Sequence, residues 1–228
     1  MKQARKRKLS ISRGQWSLLG LLILLCVVPV IGGSVRLIQL AIGVEITPDN
    51  ARFFASPVPV VVHIISSSLY CALGATQFIK GLRHWKPRLH RWLGRILLPA
   101  GILSALSGIW MTLFYPLPEL DRGLLSIFRL IFGGAMVVFL CVGYLDIRRR
   151  NFKAHEKWMM RAYAIGLGAG TQVFTLLLGM LILGGMTPFS KAMLMLAGWM
   201  INLLIAEYFI RRKPSKKRQL QIRPQIQS

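Results

Sequence analysis

The residues of this chain best suited to chemistry are histidines and arginines set beside long apolar stretches. His90 lies in the run His90-Arg91-Trp92-Leu93-Gly94-Arg95 and His155 in His155-Glu156-Lys157-Trp158-Met159-Met160-Arg161. Neutral imidazole is a common axial ligand of haem iron, and guanidinium groups pair with propionates. His90 and His155 are therefore candidate ligands of a haem b, with Arg95 and Arg161 as propionate partners, in a redox or electron-transfer protein. A second set could bind or transport a quinone, a lipid or a small anion: His63 and Arg129, supported by Gln77, Gln172, Arg91 and Trp158. Ionisable groups inside apolar segments are costly, so they are functional candidates by default.

A third reading needs no ligand. Trp92, Trp158, Arg95 and Arg161 stand where interfacial anchors belong, and the chain would then be a membrane scaffold or assembly factor. No residues are assigned a catalytic or metal-binding role, and the question of an enzyme stays open. A structural zinc site wants four ligands, and no thiol or acidic cluster accompanies the histidines. The chain has no Walker loop, dinucleotide fingerprint or HExxH motif. Cys26, Cys71 and Cys141 show no metal-ligand spacing and read as small buried apolar residues.

The charge distribution says what must position these groups. The chain has 30 Lys and Arg against 7 Asp and Glu, yet its mean hydropathy is +0.52. A nucleic-acid binder of similar charge gathers its cations on one face of a soluble fold. Here most of them fall in four clusters, Lys2 to Arg13, Lys80 to Arg95, Arg148 to Arg161 and Arg211 to Arg223, which alternate with connections almost free of positive charge. That is the positive-inside pattern of a multi-pass protein with both termini in the cytoplasm. The bilayer, with its anionic headgroups, is the expected partner, and nucleic acid is not.

A hydrocarbon core of about 30 Å needs roughly 20 helical residues. Six segments meet that length, near 15–35, 58–79, 94–114, 124–146, 159–184 and 190–210. The expected fold is all-α, a six-helix transmembrane domain over 15–211 between a basic segment 1–14 and a basic tail 212–228. The first apolar run is too long for a cleaved signal peptide and is read as a retained helix, with Pro29 as a place to kink it. The outer connections 36–57, 115–123 and 185–189 are turns rich in Pro, Gly and acid.

Sliding the chain against itself by about 66 positions aligns His63 with Arg129, His90 with His155, Trp92 with Trp158 and Arg95 with Arg161. Spans two to five then form two repeated hairpins, a four-helix core with spans one and six outside it. Repeats of this kind bind ligands at the repeat interface in many membrane proteins. On the second span His63, Ser67, Tyr70, Gly74 and Gln77 share one face. On the third Gly101, Ser104 and Gly108 do so, and on the fifth Arg161, Gly168, Gln172, Thr175 and Gly179. Small and polar stripes let helices approach closely in lipid. Glu207 stands one turn before Arg211 and can pair with it.

Three ordered motifs carry a resemblance: His63-Ile64 with Gly74-Ala75-Thr76-Gln77-Phe78; Arg83 with Pro87-Arg88-Leu89-His90-Arg91-Trp92-Leu93-Gly94-Arg95; and His155-Glu156-Lys157-Trp158-Met159-Met160-Arg161-Ala162-Tyr163-Ala164. Through them the chain resembles the bacterial predicted-membrane-protein family called domain of unknown function 2306, over residues 58–185. The resemblance implies a multi-pass protein of the cytoplasmic membrane and names no reaction.

Overall fold

The computed structural model describes residues 13–79, 83 and 85–212. His84 and most of the two basic terminal segments lie outside the described residues. The described residues are mostly helical: α1 (Arg13–Ile42), a short α2 (Ala51–Ala55), α3 (Pro57–Gly74), α4 (Pro87–Phe114), α5 (Leu124–Arg148), α6 (Phe152–Gly166), α7 (Gly168–Leu183) and α8 (Pro188–Arg211). Five of these helices are long and apolar enough to cross a membrane. The pair α6 and α7, bent by 41°, counts as a sixth when the two are read as one span. Their outer faces are apolar, as lipid requires: Leu181 is 75 % and Ile182 72 % exposed.

Local sequence sets the helix limits. Proline starts α3, α4 and α8 within the first turn, where its missing N–H costs nothing. Thr187 caps α8 by accepting from the Ser190 backbone N–H. Gly123 and Gly184 carry positive φ at the start of α5 and the end of α7, conformations that a side chain would strain.

Four boundaries differ from the sequence reading. The third span begins at Pro87, not near 94, so His90, Arg91 and Trp92 ride on a helix instead of a loop. His155 likewise sits in a helix, α6. The first span runs on to Ile42, past Pro29 within one unbroken helix, which shortens the first outer connection. The fifth span is broken at Leu167, flanked by Gly166, Gly168 and Gly170, which are poor helix formers. Hydropathy is continuous across that point, so the break leaves no trace in an apolar profile.

The helices close into a ring. Neighbouring contacts run α1 to α3, α3 to α4, α4 to α5, α5 to α8, α8 to α7, and α7 back to α1, with α6 wedged against α5, α8 and α3. The expected hairpins are both present, α3 with α4 and α5 with α6. Spans one and six join the core too, through Cys26 and Trp199. The small-residue stripes lie where helices touch. A Cβ on Gly74 would meet the Tyr163 ring at 2.6 Å, and one on Gly101 the Tyr70 ring at 2.7 Å. Gly170 lies against the backbone carbonyl of Leu25 in α1, and Gly168 against the Trp199 indole, which stacks on Phe132 at 4.6 Å.

Candidate functional site

The ring encloses a cavity of about 450 Å³, within the range that small-molecule sites occupy. Every span contributes to it. The elements reach it at the end of the bundle formed by α2, the 115–123 connection and the first turns of α5 and α8, opposite the basic end at Arg148, Arg161 and Arg211.

His63 comes from α3 and projects toward α4, where Gly108 leaves it room: a Cβ there would lie 3.3 Å from His63 Cε1. Its Nδ1 is 2.9 Å from the Ser104 carbonyl oxygen and 3.2 Å from Ser107 Oγ. A carbonyl only accepts, so Nδ1 carries the proton and donates it there. Among the described residues Nε2 has no hydrogen-bond partner, and His63 lines the cavity. Ser67 and Thr112 line the same wall.

Arg129 comes from α5 and lines the cavity with His63. Its Nη2 lies 3.4 Å from Asp121 Oδ1, and Lys191 Nζ from the start of α8 lies 2.6 Å from that same oxygen. Burial pushes the Asp121 carboxyl up, yet Lys191 and Arg129 outweigh it and hold it below the usual carboxylate range. One carboxylate thus serves two cations, and Arg52 of α2 joins them at the cavity mouth. Arg52 and Arg36 both lie 4.5 Å from the centre of the Phe53 ring, and Phe53 packs edge-on against Tyr115. The mouth is rich in positive charge. The inner walls are apolar: Leu25, Phe132, Met136, Ile165, Leu167 and Trp199.

The polar pair expected from the repeat, His63 and Arg129, is therefore brought to one cavity. Gln172 lines it as well, although its side-chain Nε2 is spent on the Met195 carbonyl at 3.0 Å. Gln77, Arg91 and Trp158 are elsewhere. Gln77 sits in a 3-10 turn with its Nε2 buried and without a hydrogen-bond partner among the described residues. Arg91 is exposed, and Trp158 packs on Phe139 and under Arg161.

The basic end holds the other set. His90 and His155 are both half-buried at this end, where Arg83 pairs with Glu156 at 3.2 Å. His155 Nδ1 lies 2.8 Å from the Gly143 carbonyl oxygen, and its Nε2 has no hydrogen-bond partner among the described residues. The two arginines part company. Arg161 pairs with Glu207 at 2.5 Å, while Arg95 is exposed and makes no ion pair with a described residue. Neither histidine and neither arginine lines the cavity.

Sequence reasoning missed Asp121, Lys191, Arg52 and Trp199. Asp121 was legible only as a turn residue, because its partners come from two other elements. Glu207 does pair with Arg211, at 3.2 Å, and its second partner Arg161 was hidden by distance along the chain.

A family model described as "Predicted membrane protein (DUF2306)" matches residues 60–210. No curated protein and no solved structure matches the chain.

Proposed function

The chain belongs to the DUF2306 family of predicted membrane proteins, and from that premise we propose that it binds, within the membrane, an amphiphilic small molecule with an anionic head. The observation that carries this is the cavity itself, whose charged mouth and apolar interior match a head and a tail. Arg129 and Arg52 would meet the anionic head, and His63 Nε2 would hydrogen-bond to it. Phe132, Met136, Ile165 and Trp199 would pack on the tail. Desolvating a guanidinium at the mouth is offset when an anion accepts from it, and a charged hydrogen bond is worth about 1.5–3 kcal/mol. A neutral amphiphile gains nothing there. The preference among quinone, lipid and anion thus moves toward an anionic lipid-like molecule. The site would lie toward the outer leaflet, with the basic end in the cytoplasm, as the charge pattern requires.

The test is fluorescence titration of detergent-purified protein with dansyl-undecanoate, against its neutral methyl ester. Saturable binding of the acid, weakened at least tenfold in Arg129→Gln and lost in Thr112→Trp, is the expected result. Equal binding of acid and ester, or indifference to both substitutions in folded protein, overturns the reading. An absorption spectrum of the same preparation tests the imidazole pair: a Soret band lost in His90→Ala or His155→Ala would move the function to the basic end.

A further inference from the structure

Two guanidiniums gathered on one aromatic ring are a feature of the mouth that a singly charged head leaves unexplained. Arg36 of α1 and Arg52 of α2 are both half-buried, and each sets its guanidinium carbon 4.5 Å from the centre of the Phe53 ring. Twice that distance is the farthest apart the two can stand. Neither pairs with an acid among the described residues. An arginine that only anchors a span extends its head toward water. These two turn instead onto a ring that lines the cavity, as Arg52 itself does. The ring is held from both ends of α2. Phe53 packs edge-on against Tyr115, whose hydroxyl donates to the Ser56 carbonyl at 2.6 Å. Before α2 the buried Asn50 side chain accepts from the Thr47 N–H at 2.8 Å and donates to the Glu45 carbonyl at 2.9 Å.

Like charges held this close repel, and a π face offsets only part of that repulsion. At the same end Arg129 and Lys191 share the one carboxylate of Asp121. Four cations from α1, α2, α5 and α8 thus meet a single carboxylate, while Glu45, Asp49 and Glu119 are exposed and pair with none of them. A head with one negative charge leaves two positive charges uncompensated, and a head with two leaves one. The planar fork of a guanidinium also matches the oxygens of a phosphate. Resting on the reading that the cavity takes an anionic amphiphile, we infer that its head is a doubly charged phosphate monoester and its tail a long-chain alcohol. Arg52 donates to the phosphate oxygens at the cavity wall. Arg36 does not line the cavity and acts through its charge and by holding Phe53 in place. Arg129 keeps Asp121 and turns its remaining N–H groups to the head. Free phosphate offers the same head, but it would make no use of the apolar walls.

The experiment measures binding of radiolabelled dodecyl phosphate to the full-length protein in mild detergent at pH 8, above the second ionisation of a phosphate monoester at about 6. The competitors are methyl dodecyl phosphate, which carries one charge on the same tail, and dodecanoate, dodecanol and inorganic phosphate. The dianion should bind at least about tenfold tighter than either monoanion, and dodecanol and inorganic phosphate should compete more weakly still. The ratio of dianion to monoanion affinity should fall at least about threefold in Arg52→Gln and in Arg36→Gln. It should stay within about twofold in Arg211→Gln, at the opposite end. A ratio keeps the test valid in a variant that loses stability, because both heads meet the same folded fraction. Equal affinity for the two phosphates, or a ratio unmoved by Arg36→Gln and Arg52→Gln, overturns this inference and leaves the anionic-ligand reading standing. Inorganic phosphate competing as well as dodecyl phosphate would make the ligand the free ion and overturn it too. If no anion binds more tightly than dodecanol, the anionic-ligand reading falls and this inference with it.

Discussion

His63 Nδ1 lies 2.9 Å from the carbonyl oxygen of Ser104, and this one contact decides which face of the ring meets the cavity. His63→Asn can keep a donor toward Ser104 while removing Nε2. The substitution should therefore leave the unfolding temperature within a few degrees of the parent and weaken binding of an anionic amphiphile about tenfold, the loss of roughly one hydrogen bond. Binding titration beside a thermal melt checks it. Unchanged affinity with unchanged stability would remove His63 from the site.

Asp121 makes the mouth sensitive to acid. Its carboxyl is pushed up by burial but held lower still by Lys191 and Arg129, so its folded value is depressed. A depressed carboxylate stabilises the fold above its unfolded value of about 3.9, and that stability is lost as pH falls through the folded value. At pH 7 Asp121→Asn should cost about 1–3 kcal/mol, because two cations lose their partner. The gap between variant and parent should close toward pH 3. Melts in detergent at both pH values would show a constant gap if the carboxylate were merely a turn residue.

The convergence of His63 and Arg129 was legible because a repeat puts equivalent residues at equivalent depths, and both lie about one and a half turns inside their helices. The same logic failed for Arg95 and Arg161. Arg161 is turned to Glu207 on α8, a contact between the repeat and an element outside it. The break at Leu167 was invisible for a different reason: periodicity and hydropathy both run through it, and only three closely spaced glycines mark it. Asp121, Lys191 and Arg52 come from connections and helix starts, where sequence gives composition but not direction.

Glu207 accepts from Arg161 and Arg211, and the two partners should differ in worth. Arg211 is 80 % exposed and Arg161 21 %. An exposed pair contributes about 0–1 kcal/mol. Arg161 also lies 4.7 Å from the centre of the Trp158 ring, which adds a cation–π contact. Arg161→Ala should lower the unfolding temperature measurably more than Arg211→Ala, and Glu207→Gln should resemble the former. Equal, small effects in a thermal melt would reduce the bridge to a surface pair.

Gly170 meets the Leu25 carbonyl with no room for a side chain, whereas a Cβ on Gly134 would have nothing within 4 Å. Overpacking costs typically about 1–3 kcal/mol, and here the neighbour is backbone, which cannot swing aside. Gly170→Ala should destabilise the protein and reduce ligand binding by moving α7 from α1. Gly134→Ala should be neutral or slightly stabilising, since alanine is the better helix former. A melt comparing the two tests whether this contact closes the ring.

Orientation follows from charge, and it can be tested without a ligand. Lys and Arg near span ends are retained on the cytoplasmic side, whereas acidic residues contribute little to the choice. The turn after α5 carries Arg148, Arg149 and Arg150, while the connection before α2 carries Glu45 and Asp49 and has no Lys or Arg between Ile42 and Asn50. A reporter inserted between Arg150 and Asn151 should therefore read cytoplasm, and one inserted after Asp49 should read the opposite side. If both report the same side, an odd number of the helices between them crosses the bilayer only in appearance. The bent pair lies beyond both insertion points, so such a result would fall on α3, α4 or α5. If both read cytoplasm, the cavity mouth beside Arg52 lies on the side opposite to the one the cations predict.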